Sequence, residues 1–222
     1  MSVRRHLDTD LTHLRLKVLE MAAYTEKALD CALRALLERD SSLAQQVIDR
    51  DAQINQLECD IDEESLRMLA LSQPVAGDLR FIVGCMRIIV NLERIGDESV
   101  NIAERALILA HRPPLPFNHM LEELAGISLE MLRSCIKAFK DDDAELADAV
   151  CDQDSRANEL DLSILKRLID FMLKETAGIE RSVHTVLASR SLERCADLST
   201  NIAESVIFIV KGVDVKHRCN RI

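Results

Sequence analysis

The feature that most constrains the fold is an internal repeat. The segment LERIGDESVNIAE at residues 92–104 returns as LERCADLSTNIAE at residues 192–204, and nine of the thirteen positions are identical. Upstream the match continues at an offset of 103, where Asp49, Asp51, Asn55 and Leu57 correspond to Asp152, Asp154, Asn158 and Leu160. The repeat is long enough to be a folding unit. We therefore expect two copies of one unit.

Each repeat is expected to be helical. Leu, Ile, Ala and Val alternate with Glu, Asp and Arg at helical spacing, and the 222 residues include only six glycines and four prolines. This composition excludes a disordered or collagen-like chain, and also a β-sandwich, which needs turn residues about every 8–12 positions. The predicted helices span residues 8–39, 42–71, 75–110, 118–140, 143–174 and 179–211.

Capping and breaking residues set these boundaries. Asp40 is a predicted N-cap, and Pro74 is placed in the first turn of the third helix. Gly178 breaks the chain before the last helix, and Gly212 ends that helix. The only proline-rich segment, residues 111–117, is predicted to be a linker. The fold class is thus all-α, with two tandem three-helix bundles at residues 1–110 and 118–222, each long enough to bury a core.

Charge and cysteine content limit the environment. The formal net charge is −10, so an acidic surface repels phosphate backbones and no nucleic-acid partner is expected. The seven cysteines are odd in number and form no C-x-x-C, which indicates thiols in a reducing compartment. We find no signal-like N-terminus and no apolar stretch able to span ~30 Å of hydrocarbon. We therefore predict a cytoplasmic protein without membrane insertion.

Polar side chains form narrow rows on the predicted helices. On a helical wheel Asp97, Asn101 and Glu104 lie within ~80° of Glu93, on the side opposite the apolar positions. The second repeat has the same row, formed by Glu193, Asp197, Asn201 and Glu204. A further row on the second helix contains Asp51, Asn55, Glu58 and Asp62, and its counterpart on the fifth helix contains Asp154, Asn158 and Asp161.

Two interpretations of these rows remain open. Like charges four residues apart destabilise a helix by about 0.2–0.5 kcal/mol per pair, so the rows are either a solvated face or a place where a cation binds. Carboxylate and amide oxygens suit Mg²⁺, Mn²⁺ or Fe. The recurrence of identical polar residues in both repeats brings the cation level with the solvated face, because exposed acids have less reason to match than core residues. Arg94 and Arg194 recur beside the rows and are expected to pair with a nearby carboxylate.

No catalytic constellation is found. A di-iron carboxylate enzyme needs Glu-x-x-His on two helices, and that motif does not occur. Phosphate-binding loops, nucleophile elbows and H-E-x-x-H are also missing from the sequence. His13 on the first helix leaves a phosphotransfer role open, and Glu180 with His184 is interpreted as a structural pair. We predict no catalytic residues.

The doubled block, extended in the second repeat to LERCADLSTNIAESVIFIVKG, resembles the PhoU family, whose pattern is close to LERIGDHAxNIAE in both repeats. The resemblance covers the whole chain. It implies two three-helix bundles side by side, often in a homodimer, and no enzyme. It also implies a negative regulator of the phosphate-starvation response that modulates high-affinity phosphate uptake. Such proteins connect the ATPase subunit of the phosphate ABC importer to a sensor histidine kinase.

The resemblance further implies metal ligands on the bundle surface and no organic cofactor. The family motif E/D-x-x-x-D falls on Glu93/Asp97 and Glu193/Asp197, extended by Asn101 and Asn201, with Asp51/Asn55 and Asp154/Asn158 on the neighbouring helices. The metal expected is Fe, Mn, Mg or Zn.

This sequence departs from the family pattern in several places. Asn55 and Asn158 replace a frequent acid. Glu98 and Leu198 replace a histidine, and Cys195-Ala196 replaces Ile-Gly in the second repeat. The two sites need not be equivalent. The alternatives are an accessory protein of a low-affinity phosphate transporter and a metal-binding helical protein of another role.

Overall fold

A computed structural model describes residues 2–115, 118–213 and 215, and the part of the chain that it describes contains helices and no strand. The first repeat consists of α1 (Ser2–Glu38), α2 (Ser41–Ser72) and α3 (Gly77–Ala110). The second consists of α4 (Asn118–Asp141), α5 (Ala144–Cys151), α6 (Asp154–Lys174) and α7 (Ile179–Lys211), with a 3₁₀ turn at Thr176–Gly178. The predicted all-α class is confirmed.

Helix ends are fixed by the residues that the sequence indicates. The Asp40 side chain accepts hydrogen bonds from the backbone N–H groups of Ser42 and Leu43. Asp143 does the same for Glu145 and Leu146 at the equivalent place in the second repeat. Gly212 takes a left-handed φ of 69°, and its N–H bonds to the carbonyl of Phe208. These caps satisfy backbone groups that a helix end leaves without partners.

Three predicted boundaries are wrong. The helix expected at residues 143–174 is interrupted at Asp152 and Gln153, because the N–H of Gln153 bonds three residues back, to Val150, and tightens the turn. Pro74 precedes α3 instead of lying in its first turn, since the chain turns sharply at Gln73 and Ala76, where φ is 46° and 45°. The first helix begins at Ser2, not at residue 8.

One apolar core runs through both repeats. In α3 the buried residues include Leu92, Ile95 and Ile102, and in α7 they include Leu192, Cys195 and Ile202. α3 packs against α1, α2 and α7, and α7 packs in turn against α4, α5 and α6. Thus α3 and α7 are the central helices and form the seam between the repeats.

Side chains of α1 and α4 also cross the seam. The guanidinium of Arg15 lies 4.8 Å from the centroid of the Phe81 ring and 5.2 Å from that of Phe139. It also donates to the carbonyl of Phe139 and to the carboxylate of Asp142. Arg133 of α4 pairs with Glu26 and Asp30 of α1. The two repeats are therefore joined by polar contacts as well as by apolar packing.

Two further features bear on the environment of the chain. No helix among the described residues combines the length and the apolar character that crossing a bilayer requires. The six described cysteines are free thiols, and Cys219 lies outside the described residues.

Candidate functional site

In the first repeat, α2 and α3 bring their polar rows together. Partial burial and the carboxylates of Asp97 and Glu58 raise the pKa of Glu93. Partial burial and the carboxylate of Asp51, with that of Glu98, raise the pKa of Asp97. Carboxylates that perturb one another in this way lie close together. We call Asp51, Glu58, Glu93 and Asp97 the first acidic cluster.

The amide of Asn55 orients one member of this cluster. Its Nδ2 donates to Oδ2 of Asp51 over 3.0 Å. The other two acceptor oxygens, Oδ1 of Asp51 and Oδ1 of Asn55, are buried and have no hydrogen-bond partner. A buried acceptor without a donor costs about 1–3 kcal/mol, so this pair of oxygens suits a donor or a cation.

The second repeat builds the equivalent cluster between α6 and α7. Partial burial and Asp197 raise the pKa of Asp154, and partial burial with Asp161 and Asp197 raises the pKa of Glu193. Asn158 donates to Oδ2 of Asp154 over 3.0 Å, the same contact that Asn55 makes. We call Asp154, Asp161, Glu193 and Asp197 the second acidic cluster.

One buried ion pair distinguishes the two clusters. Asp161 is only 2% exposed, and its carboxylate accepts a hydrogen bond from Ser189 over 2.8 Å and pairs with Arg190 over 2.7 Å. The repeat places Glu58, Ile89 and Val90 at the equivalent positions of the first cluster. The second cluster therefore carries its own positive charge. Helical periodicity does not predict this pair, and the only sign of it in the sequence is Arg190 at the position of Val90.

The two row asparagines lie at the exposed ends of the clusters. Asn101 donates to Glu98 over 3.2 Å, and Asn201 donates to Asp197 over 3.5 Å. The expectation for Glu204 is wrong: its counterpart Glu104 is exposed, but Glu204 is buried within a covered stretch of α7, residues 202–207.

The recurring arginines lie beside carboxylates, as expected. Arg194 pairs with Glu98 over 3.2 Å, across the seam between the repeats. The charge of Arg94 opposes the rise in the pKa values of Glu58 and Glu93. The arginines therefore offset part of the acidity at the first cluster.

The donor chemistry of the clusters fits a hard cation, but their side-chain orientations fit it only in part. Carboxylate and amide oxygens are the ligands that such cations prefer, and two acceptors are left over at Asp51 and Asn55. Among the described residues, no three His, Cys, Asp or Glu side chains converge on one point as metal ligands do. A cation would therefore require side chains of the clusters to move closer together.

The two histidines considered from the sequence, His13 and His184, are not members of the acidic clusters. Nδ1 of His13 lies 2.9 Å from Oε1 of Glu64, whose Oε2 pairs with Lys17 over 2.8 Å. Partial burial raises the pKa of Glu64, but the hydrogen bonds with Lys17 and His13 outweigh it, and the pKa is lowered overall. The expected pair of Glu180 with His184 is wrong, since Glu180 pairs with Arg112 over 2.6 Å. His13 thus belongs to a structural contact between α1 and α2.

Comparison with known proteins extends these observations. A family model described as the PhoU domain matches residues 18–106 and 121–206, one segment in each repeat. The chain is 38% identical over 216 residues to a phosphate-specific transport system accessory protein PhoU homolog of Pseudomonas putida, covering 97% of this chain and 84% of the relative. A homolog with the same description from Aquifex aeolicus is 38% identical over 94% of this chain and 95% of its own.

Solved structures of PhoU proteins are also similar to this chain. The crystal structure of PhoU from Pseudomonas aeruginosa matches with a TM-score of 0.90 and 37% identity, over 93% of this chain and 99% of that one. The phosphate transport system regulatory protein PhoU from Streptococcus pneumoniae matches with a TM-score of 0.88 and 28% identity, over 95% of this chain and 99% of that one.

Proposed function

Because the chain belongs to the PhoU family, we propose that it is an accessory protein of phosphate uptake that represses the phosphate-starvation response when phosphate is plentiful. It acts by protein contact in the cytoplasm, between the ATPase subunit of the phosphate ABC importer and a sensor histidine kinase. The pathway is supported by relatives named as accessory proteins of phosphate-specific transport, which this chain matches over nearly its whole length.

The observation that carries the mechanism is the pair of acidic clusters at equivalent places in the two repeats. In the first cluster the ligands of a divalent cation (Fe, Mn, Mg or Zn) are Glu93, Asp97, Asn101, Asp51 and Asn55. In the second they are Glu193, Asp197, Asn201, Asp154 and Asn158. The bound cation supplies positive charge that offsets the mutual repulsion of the carboxylates. Asn55 and Asn158 each hold one aspartate in place by the 3.0 Å contact.

The two clusters are expected to differ in affinity. Arg190 pairs directly with Asp161 in the second cluster, whereas Val90 is its counterpart in the first, where Arg94 only partly offsets the charge of Glu58. Repulsion that is already relieved leaves less for a cation to gain. The first cluster therefore binds metal more tightly than the second.

Metal analysis of protein purified without chelator, after supplementation with Mn²⁺, Fe²⁺, Mg²⁺ and Zn²⁺, tests this part. Glu93→Gln with Asp97→Asn removes most of the bound metal, and Glu193→Gln with Asp197→Asn removes less. The control is Glu159→Gln with Asp170→Asn, two exposed acids of α6 outside the clusters. Fewer than about 0.1 metal ions per wild-type chain contradicts a tight site.

A deletion strain grown in excess phosphate tests the pathway. Alkaline phosphatase activity is expected to be high in the deletion and low again when the wild-type gene is restored. The Glu93→Gln, Asp97→Asn gene restores repression incompletely, and the Glu159→Gln, Asp170→Asn gene restores it fully. Unchanged low phosphatase in the deletion contradicts the repressor role and favours an accessory protein of a low-affinity phosphate transporter.

A further inference from the structure

An open cavity of about 320 Å³ lies between α1, α2 and α3 of the first repeat. Tyr24 and Ala28 of α1 form one wall, Val47 and Ile54 of α2 form the other, and Gly96 of α3 is part of the lining. Small-molecule sites in proteins occupy about 300–1,000 Å³ and combine apolar walls with a few polar groups. The cavity is at the lower end of that range, large enough for a small organic molecule.

Small side chains create the cavity in this repeat. Thr25 donates to the carbonyl of Leu92, and Ser128 donates to the carbonyl of Leu192. These equivalent contacts align α4 with α1 at an offset of 103 residues. Ala28 then corresponds to Met131, and Gly96 corresponds to Ala196; both counterparts are fully buried. A methyl group on Gly96 would approach Cδ1 of Ile54 to 3.1 Å. Met131 of the second repeat therefore occupies the position where Ala28 leaves space in the first, whereas the smaller Ala157 replaces Ile54.

The cavity also carries positive charge. Lys27 and Arg50 line it, both are exposed, and neither pairs with a carboxylate of the described residues. Their counterparts in the second repeat are Glu130 and Gln153. The one acid in the lining, Asp51, accepts a hydrogen bond from Asn55 at Oδ2, and its Oδ1 has no hydrogen-bond partner. The two cations therefore outnumber the one acid of the lining, although the chain has a net charge of −10.

We propose that this cavity binds a small organic anion that has an apolar body and its charge at one end. Lys27 and Arg50 hold the charged head, and a phosphate monoester suits them because the guanidinium fork and the ammonium both favour phosphate oxygens. The apolar body packs against Tyr24, Val47 and Ile54. The site belongs to the first repeat alone, and Asp51 is both part of its lining and one of the ligands of the metal proposed above.

The chain contains its own probe for the test. Tyr24 is the only tyrosine and there is no tryptophan, so intrinsic tyrosine fluorescence reports from the cavity alone. Hexyl phosphate, which does not absorb in the tyrosine band, is titrated into the full chain with fluorescence and calorimetry as readouts. A saturable change is expected, with inorganic phosphate and hexanol each binding at least about tenfold more weakly.

Two variants locate the binding. Lys27→Gln with Arg50→Gln is expected to weaken hexyl phosphate at least about tenfold. Lys166→Gln with Arg167→Gln removes the same charge from exposed positions of α6 and leaves the affinity unchanged. Ala28→Met, which installs the residue of the second repeat, abolishes binding while the circular dichroism spectrum and melting temperature stay those of a folded chain.

Three results overturn the proposal. The first is no saturable signal up to about 10 mM hexyl phosphate. The second is an equal loss of affinity in both charge variants, which means that net charge alone attracts the probe. The third is inorganic phosphate binding as tightly as hexyl phosphate, which means that the apolar walls contribute nothing and the site takes free phosphate.

Discussion

Asp161 is almost wholly buried, and a neighbouring helix balances its charge through Ser189 and Arg190. Removing one partner of a buried charge leaves the other without compensation, which costs more than the pair gains by forming. Arg190 reaches Asp161 from outside and is itself half-exposed. This contact is therefore a point where one residue governs the stability of the second cluster.

We expect Arg190→Met to lower the free energy of unfolding by about 1–3 kcal/mol, because Asp161 keeps only the hydroxyl of Ser189. Urea unfolding at pH 7 measures it. Arg156→Met is the control, since its partner Glu123 at 2.6 Å is exposed and such pairs contribute about 1 kcal/mol or less. Equal losses in the two variants contradict the role given to Arg190.

The first acidic cluster has a pH dependence of defined sign. The pKa values of Glu93 and Asp97 are raised in the folded chain above the unfolded values of about 4.3 and 3.9. The folded state therefore binds more protons, and stability falls as pH rises from those unfolded values through the raised folded ones. Above that window the loss is complete.

Glu93→Gln with Asp97→Asn is thus expected to stabilise the metal-free chain at pH 7, by about 0.5 kcal/mol for one like-charge pair, and to give no gain near pH 3. Urea unfolding at the two pH values tests this. Glu64→Gln is the comparison with the opposite pH dependence. The pKa of Glu64 is lowered in the folded chain, so its carboxylate stabilises the fold above the unfolded pKa, and this stabilisation is lost as pH falls. A gain at pH 7 that persists at pH 3 contradicts charge repulsion as the cause.

The positions of the row residues follow from helical periodicity, but their contacts do not. Glu93 and Asp97 share a helix face for any straight helix, so the sequence predicts their row. Arg194, in contrast, pairs with Glu98 of the other repeat, and Arg190 pairs with an acid of another helix. Those contacts depend on how two helices pack against each other, and a helical wheel describes only one helix at a time.

At the scale of the elements, α3 and α7 pack closely together at Gly84. A Cβ on Gly84 would lie well inside the van der Waals distance of the Ile209 side chain. Ile209 is β-branched and has few rotamers available within a helix. Glycine at this position therefore permits the close packing of the seam, at the cost of a weak helix former inside α3.

Gly84→Ala is expected to destabilise the chain by about 1–3 kcal/mol through overpacking, although alanine favours the helix. Gly126→Ala is the matched control, because nothing lies within 4 Å of the new methyl group in α4. That change is expected to stabilise by about 1 kcal/mol. Thermal unfolding of both variants measures the difference, and stabilisation by both contradicts a tight seam at Gly84.

For the secondary-structure elements, the sequence predicts most helix boundaries but does not predict the break between α5 and α6. Asp40, Gly178 and Gly212 signal their boundaries because each has a defined role at a helix end. Asp152 and Gln153 give no such signal, since both keep right-handed helical dihedrals, with φ of −68° and −82°. The interruption arises from a local change of hydrogen-bond pattern, without a glycine or proline to reveal it.

For the whole molecule the continuous core has a thermodynamic consequence. The buried faces of α3 and α7 belong to one cluster that includes residues of both repeats. The division into bundles at residues 111–117 remains a prediction from sequence. We expect the chain to unfold in a single transition, because separating the repeats would expose apolar surface at the seam.

Scanning calorimetry measures this directly. The ratio of calorimetric to van't Hoff enthalpy is expected to be about 1 for the metal-free chain. Arg15→Met lowers the transition temperature without splitting it, since Arg15 joins α1 to α4 through Phe139 and Asp142. Two resolved transitions in the wild-type chain contradict a shared core and favour independent bundles.

The ion pair between Arg194 and Glu98 has a consequence for how such a chain diverges after gene duplication. In a symmetric dimer of one ancestral bundle, every substitution enters both halves, so a contact across the axis forms twice or not at all. Here both repeats have the arginine, at Arg94 and Arg194, but the counterpart of Glu98 is Leu198, so the ion pair forms only once. Fusion of the two halves into one gene lets each face of the axis mutate separately, so one half can acquire a new specificity while the other retains the ancestral role.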